Sequence, residues 1–145
     1  MRHPPWRQDI DNYPLIAEIP IRFNDMDYNA HVNNVAIYQL YDEARVAINQ
    51  VLYPKEEQIA SDIKVYIVDV HVTMLGEAHY PGTVRVGTGF LKIGTSSFTY
   101  GQAMFQDGRC IGLAEAVVVY AAAGKPVPLP AHQRAWLEGH RIGPG

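Results

Sequence analysis

Two periods of apolar spacing run through this chain, and the change from one to the other divides it. Between Leu15 and Phe23, the residues Ile19, Ile21 and Phe23 fall on one side while Pro20 and Arg22 fall on the other. That period of two is the pattern of a half-buried strand. Pro20 has no N–H to donate, which assigns the strand to a sheet edge or Pro20 to a strand start. Asn24–His31 is dense in Asn and Asp and reads as a loop. From Val32 to Leu52 the apolar positions Ile37, Leu40, Tyr41, Ala44, Ala47, Ile48 and Val51 recur at steps of three and four. This predicts an amphipathic helix of about five turns. Asn33 or Asn34 stands where an N-cap is needed. Ala36 and Val46 lie off the stripe, which predicts cover on more than one side of the helix.

Tyr53-Pro-Lys-Glu-Glu-Gln58 breaks the helix, and the remainder reads as strands over 63–75, 83–93, 96–106 and 109–122. Asp107-Gly108 is the strongest hairpin signal in the chain. Gly94-Thr95 marks a second turn, and Gly76–Gly82, with Pro81, is a turn-rich link. Gly124–Pro130 ends the sheet, and Ala131–Glu138 is set for a last short helix. One long helix followed by four strands in hairpin succession gives an α+β layer fold, because the helix can cover one face of the sheet. Residues 1–13 are polar and proline-bearing and read as a loose arm. Residues 14–138 form a single domain, and 139–145 a tail.

Composition narrows the class. The 145 residues are 48% apolar and 19% charged, enough for one domain to bury a core without disulfides or a metal. A net charge of −3 and a pI near 6.0 show no basic excess of the kind that binds nucleic acid or an anionic membrane. Cys110 is the single cysteine, so no intrachain disulfide forms; it sits in an apolar run and reads as a buried thiol. The first residues lack the apolar stretch of a secretory signal. No apolar run approaches the ~18 residues of a membrane span. The expected address is the cytoplasm.

The chemistry concentrates in Asn24-Asp-Met-Asp-Tyr-Asn-Ala-His-Val-Asn-Asn34. A capped turn accounts for its Asn and Asp residues. A metal site built from Asp25, Asp27 and His31 lacks the spacing of known ligand motifs. A third reading is acyl transfer: a carboxylate just ahead of a helix start lies near backbone N–H groups that have no partner in the helix, and such groups stabilise an oxyanion. There is no Gly-x-Ser-x-Gly elbow to supply a nucleophilic serine. Lys92 and Arg85 read as solvated strand charges, His71 as structural, and Met74, Tyr66 and Phe90 as core or pocket lining.

The run Arg22-Phe-x-Asp25-x-Asp27-x-x-x-His31-Val-Asn33-Asn34, followed by Tyr38 and Asp42-Glu-Ala-Arg45, resembles the signature of the 4-hydroxybenzoyl-CoA thioesterase-like hotdog proteins. Pro81-Gly82, Ile93-Gly-Thr-Ser-Ser97, Asp107-Gly108, Val117–Tyr120 and Gly124–Pro130 follow in that family's order, so the resemblance covers roughly residues 15–138. It implies a hotdog fold: a long central helix wrapped by a five-stranded, mainly antiparallel sheet. It implies an acyl-CoA thioesterase in which Asp27 is the catalytic carboxylate. The resemblance places the oxyanion donors at the backbone N–H of Asn34 with Asn33 beside it. The resemblance gives Asp25 a structural or orienting role and has His31 and the Asn33 side chain shape the approach to the helix. By the same resemblance Tyr28 and His31 are expected to border the substrate, and Gly94, Thr95 and Ser96 to lie near its pantetheine and nucleotide end. No metal or cofactor is implied, since CoA, or an acyl-carrier protein in its place, arrives as part of the substrate. Members of that family pair sheets edge to edge and build each site between subunits, which implies a homodimer or homotetramer. The family's usual Gly before the His is Ala30 here, and Tyr28 and Asn29 replace smaller residues at the mouth of the site. Two alternatives share the fold: a module that binds an acyl thioester without turning it over, and an enoyl-CoA hydratase, for which His31 is the one histidine in the motif.

Overall fold

The computed structural model describes residues 3–144. Its elements are β1 (Leu15–Pro20), α1 (Asn34–Leu52), α2 (Lys55–Ala60), β2 (Lys64–Met74), β3 (Thr83–Ile93), β4 (Ser97–Gln106), β5 (Arg109–Ala122), the two-residue β6 (Lys125–Pro126) and α3 (Ala131–Glu138). The strands form one antiparallel sheet in the order β1-β3-β4-β5-β2, with β6 paired to β5. Pro20 is thus on an edge strand, as its missing N–H requires. The β4–β5 hairpin turns at Asp107 (φ 51°) and Gly108 (φ 78°); two successive left-handed residues match the twist of the strands they join. No helix of the described residues is long and apolar enough to cross a membrane.

The long helix lies against one face of the sheet, which is the hotdog arrangement. Asn33 caps it: the Ala36 N–H donates to Asn33 Oδ1 at 2.8 Å. Ile37, Leu40, Tyr41 and Ala44 pack against Val84, Val86, Met104 and Ala114, and Ala36 is buried with them, but Val46 is exposed, so the expected cover on a second side of the helix is absent there. A polar link pins helix to sheet within this core. Arg45 Nη1 donates to Gln102 Oε1 at 2.8 Å, and Gln102 Nε2 donates to the Tyr41 carbonyl and to Thr88 Oγ1, both at 3.2 Å. Buried polar groups need such partners. The far half of the apolar stripe is different. Ala47 is exposed and Val51 is 65% exposed, because β1 does not close over that part of the helix.

The opposite face of the sheet is covered by the chain termini, and this corrects the expectation of a loose arm and a tail. The expected arm includes residues 1 and 2, which lie outside the described residues. From Pro5 to Asn12 the chain makes two short 3-10 turns. Arg7 is buried; it donates to the carbonyls of Gln102 (3.3 Å) and Ala114 (3.2 Å) and pairs with Glu115 at 3.4 Å. Tyr13 and Ile142 complete an outer cluster with Ala103, Phe105 and Leu113. Glycines on β3 make room for it. A Cβ at Gly87 would sit 2.7 Å from the Tyr13 ring, and one at Gly89 would sit 2.4 Å from Ile142. Where β1 ends its pairing with β3 at Thr88, the tail continues along the same edge: the Ile142 N–H donates to the Phe90 carbonyl and the Phe90 N–H to the His140 carbonyl. Backbone groups that would lack partners are satisfied by segments far away in sequence.

Three smaller expectations also change. The stretch after Tyr53 stops α1 but starts α2, with Pro54 as its N-cap. Phe90 is fully buried, but Tyr66 and Met74 are 51% and 44% exposed, because β2 is the second edge of the sheet. Cys110 is half-buried against the outer cluster, and burial pushes its thiol pKa up.

Candidate active site

The polar segment between β1 and α1 is a folded turn with nearly every polar group assigned. After β1 the Ile21 N–H donates to the Gly82 carbonyl at 2.9 Å, which holds the segment at the Thr83 end of β3. Phe23–Asp25 makes one 3-10 turn. Asp25 is buried; its Oδ1 pairs with Arg22 Nη2 at 2.9 Å, and its Oδ2 accepts the Arg22 N–H at 2.8 Å. The bond from the Arg22 side chain holds the Asp25 carboxyl below the usual carboxylate range. The chain then doubles back. Met26 and Val32 form an antiparallel bridge, and the Asp27 N–H donates to the His31 carbonyl at 2.8 Å. Asn33 ties this loop to the helix, since its N–H and its Nδ2 both donate to the Asp25 carbonyl, at 2.9 and 3.0 Å.

Asp27 is the exposed carboxylate of the turn. Its Oδ1 accepts the N–H groups of Asn29 (2.8 Å) and His31 (3.3 Å). Its Oδ2 has no hydrogen-bond partner among the described residues. The side chain is therefore oriented on one oxygen and free on the other. Asp27, Asn33 and Asn34 line one open concavity of about 570 Å³, together with Arg22, Val35 and Gln39. The Asn33 N–H is engaged by Asp25. The N–H groups of Asn34 and Val35, in the first turn of α1, donate to no group among the described residues. Free N–H groups at the positive end of a 19-residue helix are suited to a developing negative charge.

The other expected site residues are arranged differently. Tyr28 projects fully into solvent. His31 turns away from Asp27: its Nε2 lies 3.1 Å from Glu77 Oε2, and its ring meets His79 edge-on at 5.8 Å. Glu77 and His79 belong to the turn-rich link, where no spacing in the sequence marked them as neighbours of His31. Asp25, Asp27 and His31 do not converge, and no group of three or more His, Cys, Asp or Glu among the described residues is arranged to hold a metal ion. Gly94, Thr95 and Ser96 lie at the far end of β3. At about 3.3 Å per residue, that is ~33 Å from the Thr83 end where Asp27 sits. Arg134 donates to the carbonyls of Gly94 (2.7 Å) and Thr95 (3.1 Å), and the Leu129 N–H to that of Thr95. One chain does not bring these three residues to Asp27.

Ala30 has φ 64°. For an L-residue this conformation costs about 1–2 kcal/mol, and glycine adopts it freely. Ala30→Gly relieves that strain and loses about 0.4–1 kcal/mol through the freer unfolded chain. The net expectation is a variant as stable as wild type or more stable by up to about 1.6 kcal/mol. A thermal melt showing clear destabilisation would contradict the left-handed turn.

Comparison with known proteins adds to this geometry. The family described as the thioesterase-like superfamily matches residues 21–137. No curated protein matches the chain. Among solved structures, one described as a predicted thioesterase from Bacillus stearothermophilus is 25% identical. The match covers 90% of this chain and 98% of that one, with a TM-score of 0.81. A thioesterase from Thermus thermophilus, solved with coenzyme A and zinc, is 23% identical over 89% of this chain and 95% of its own, with a TM-score of 0.78. A gentisyl-coenzyme A thioesterase is 22% identical over 83% and 98%, with a TM-score of 0.73. The last two likenesses concern the fold.

Proposed function

The chain belongs to the thioesterase-like superfamily, and from that premise we propose that it hydrolyses an acyl-CoA thioester using Asp27 and the Asn34 N–H. The observation that carries the proposal is that a carboxylate with one unbonded oxygen and a helix N-terminus with unbonded N–H groups line the same concavity. Thioester hydrolysis needs those two things. As general base, Asp27 takes a proton from water as the water oxygen bonds to the carbonyl carbon. As nucleophile, its Oδ2 forms that bond itself, giving an anhydride that water then opens. On either route the carbonyl oxygen gains the charge that the Asn34 N–H meets. The C–S bond breaks when the oxyanion collapses, and the departing thiolate takes up a proton. CoA is part of the substrate, and no further cofactor enters. Acyl-carrier protein presents the same thioester on the same pantetheine arm.

The distance from Asp27 to Gly94–Ser96 supports a site completed by a second copy. β2 is an open edge that exposes Tyr66, Ile67, Val68 and Met74, and an exposed apolar edge strand is a template for pairing. Two copies joined along β2 form the proposed homodimer, and two such dimers a tetramer. The test has two arms. Free thiol is measured after incubation with a panel of acyl-CoAs, and mass is measured by light scattering. Thiol release and a particle of at least twice the 16.2 kDa chain are expected. Tight binding without release would replace the hydrolase with a binding module, and a monomer at micromolar concentration would overturn the shared site.

A further inference from the structure

We propose that the substrate's acyl chain lies in the seam between β1 and α1, and that this seam gives a preference for long linear acyl groups; the inference rests on the thioesterase reading above. Three concavities run in line along one side of α1. The first is the 570 Å³ space at Asp27 and Asn34. A second, of about 390 Å³, shares Arg22, Asp25, Ala36 and Gln39 with the first and continues between Ile19 and Leu40. A third, of about 260 Å³, opens between Ile16 and Ala17 of β1 and Ala44, Ala47 and Val51 of α1, with Trp136 of α3 on its wall. Positions 36, 40, 44, 47 and 51 follow one face of a helix, so the three spaces lie in succession along that face; the second and third share no lining residue, and the proposed path joins them between Leu40 and Ala44.

The lining changes character along that path. Near the reacting end it includes Arg22, Gln39 and Glu43. At the far end it is apolar apart from Thr88. That gradient suits a molecule with a polar thioester head and a hydrocarbon tail. It also accounts for the far half of the helix stripe, where Ala47 and Val51 are apolar yet uncovered. Small side chains at Ala17, Ala44 and Ala47 leave the width. At 1.5 Å per residue, Ala44 lies ~15 Å and Val51 ~25 Å along the axis from Asn34. With C–C bonds of about 1.5 Å, an extended alkyl chain advances roughly 1.3 Å per carbon. A dodecanoyl chain of ~14 Å therefore ends near Ala44, at the mouth of the third space, a hexadecanoyl chain of ~20 Å fills that space as far as Ala47, and a butyryl chain ends well short of it.

The experiment fills the far space and reads two signals on the full chain. In Ala47→Phe the new ring occupies the seam from an exposed position, so the core is untouched. With hexadecanoyl-CoA, whose chain of ~20 Å reaches Ala47, kcat/KM should fall at least tenfold, mostly through KM. With butyryl-CoA, which does not reach Ala47, it should stay within threefold. Val51→Phe, ~25 Å along, should spare hexadecanoyl-CoA more than eicosanoyl-CoA. The second signal needs no turnover: hexadecanoyl-CoA, and not butyryl-CoA, should change the fluorescence that is lost in Trp136→Phe, and Ala47→Phe should abolish the response. Equal losses on long and short chains, or no change on either, overturn the seam while leaving the hydrolase reading intact. A Trp136 response without thiol release from any acyl-CoA supports the seam and removes the hydrolase.

Discussion

Asp27→Asn is expected to lower kcat on the best acyl-CoA by at least about 100-fold and to leave the fold unchanged. The variant is informative because the two carboxylate oxygens of Asp27 do different jobs. Oδ1 accepts the N–H groups of Asn29 and His31. An asparagine oxygen does the same, so the turn keeps its shape. Oδ2 is the unbonded oxygen, and an amide NH₂ in its place can neither take a proton nor attack a carbonyl. Loss of a general base typically costs 10²–10⁴-fold. Single turnover of wild type in heavy-oxygen water separates the two routes, since opening of an anhydride at its protein carbonyl leaves the label on Asp27 and base catalysis does not. Asp25→Asn is the companion variant. Asp25 is buried and bonded to Arg22 through both oxygens, so its change should lower stability more than catalysis. If Asp27→Asn turns over acyl-CoA within threefold of wild type, Asp27 is not the catalytic group.

How much of this was legible in the sequence follows from how local each interaction is. The Asp27–Asn34 unit was legible because its contacts span few residues: a strand end, a turn whose bonds join residues 22, 25, 27, 29, 31 and 33, and a cap. The hairpin at Asp107-Gly108 was legible for the same reason. Ala30 was half legible. Its place before His31 stood out, but the sign of φ is set by the bridge between Met26 and Val32, which composition does not reveal. The packed N-terminal segment was not legible at all. Arg7 looks like a surface charge until β4 and β5 bring the carbonyls of Gln102 and Ala114 to it from about a hundred residues away. Tyr66 and Met74 misled for the opposite reason. An apolar, β-branched run predicts burial, but β2 ends as an edge of the sheet with Tyr66 and Met74 exposed. Glu77 and His79 reach His31 only because the Val32 N–H bonds to the Ala78 carbonyl, and no periodicity encodes that pairing.

Asn34→Pro isolates the other half of the proposed chemistry. Proline at the first position of a helix removes the N–H and disturbs little else, because that N–H has no intrahelical partner and φ near −65° already suits a helix. The preceding residue must be extended, and Asn33 is, with φ −74° and ψ 161°. The helix, its Asn33 cap and the Asp27 turn should therefore survive, with a melting temperature close to wild type. What is lost is one donor aimed into the concavity beside Asp27. Removing a single oxyanion donor costs about 10²–10³-fold in kcat. A fall of that order is expected, with the residue of activity carried by the Val35 N–H and the helix dipole. The loss should appear in kcat more than in KM, because the donor meets charge that exists only in the transition state. Asn34→Ala separates backbone from side chain: it keeps the N–H, and its loss should be small. If proline and alanine behave alike, the Asn34 N–H does not face the reacting oxygen, and the site must draw its oxyanion donor from another residue or from the second copy.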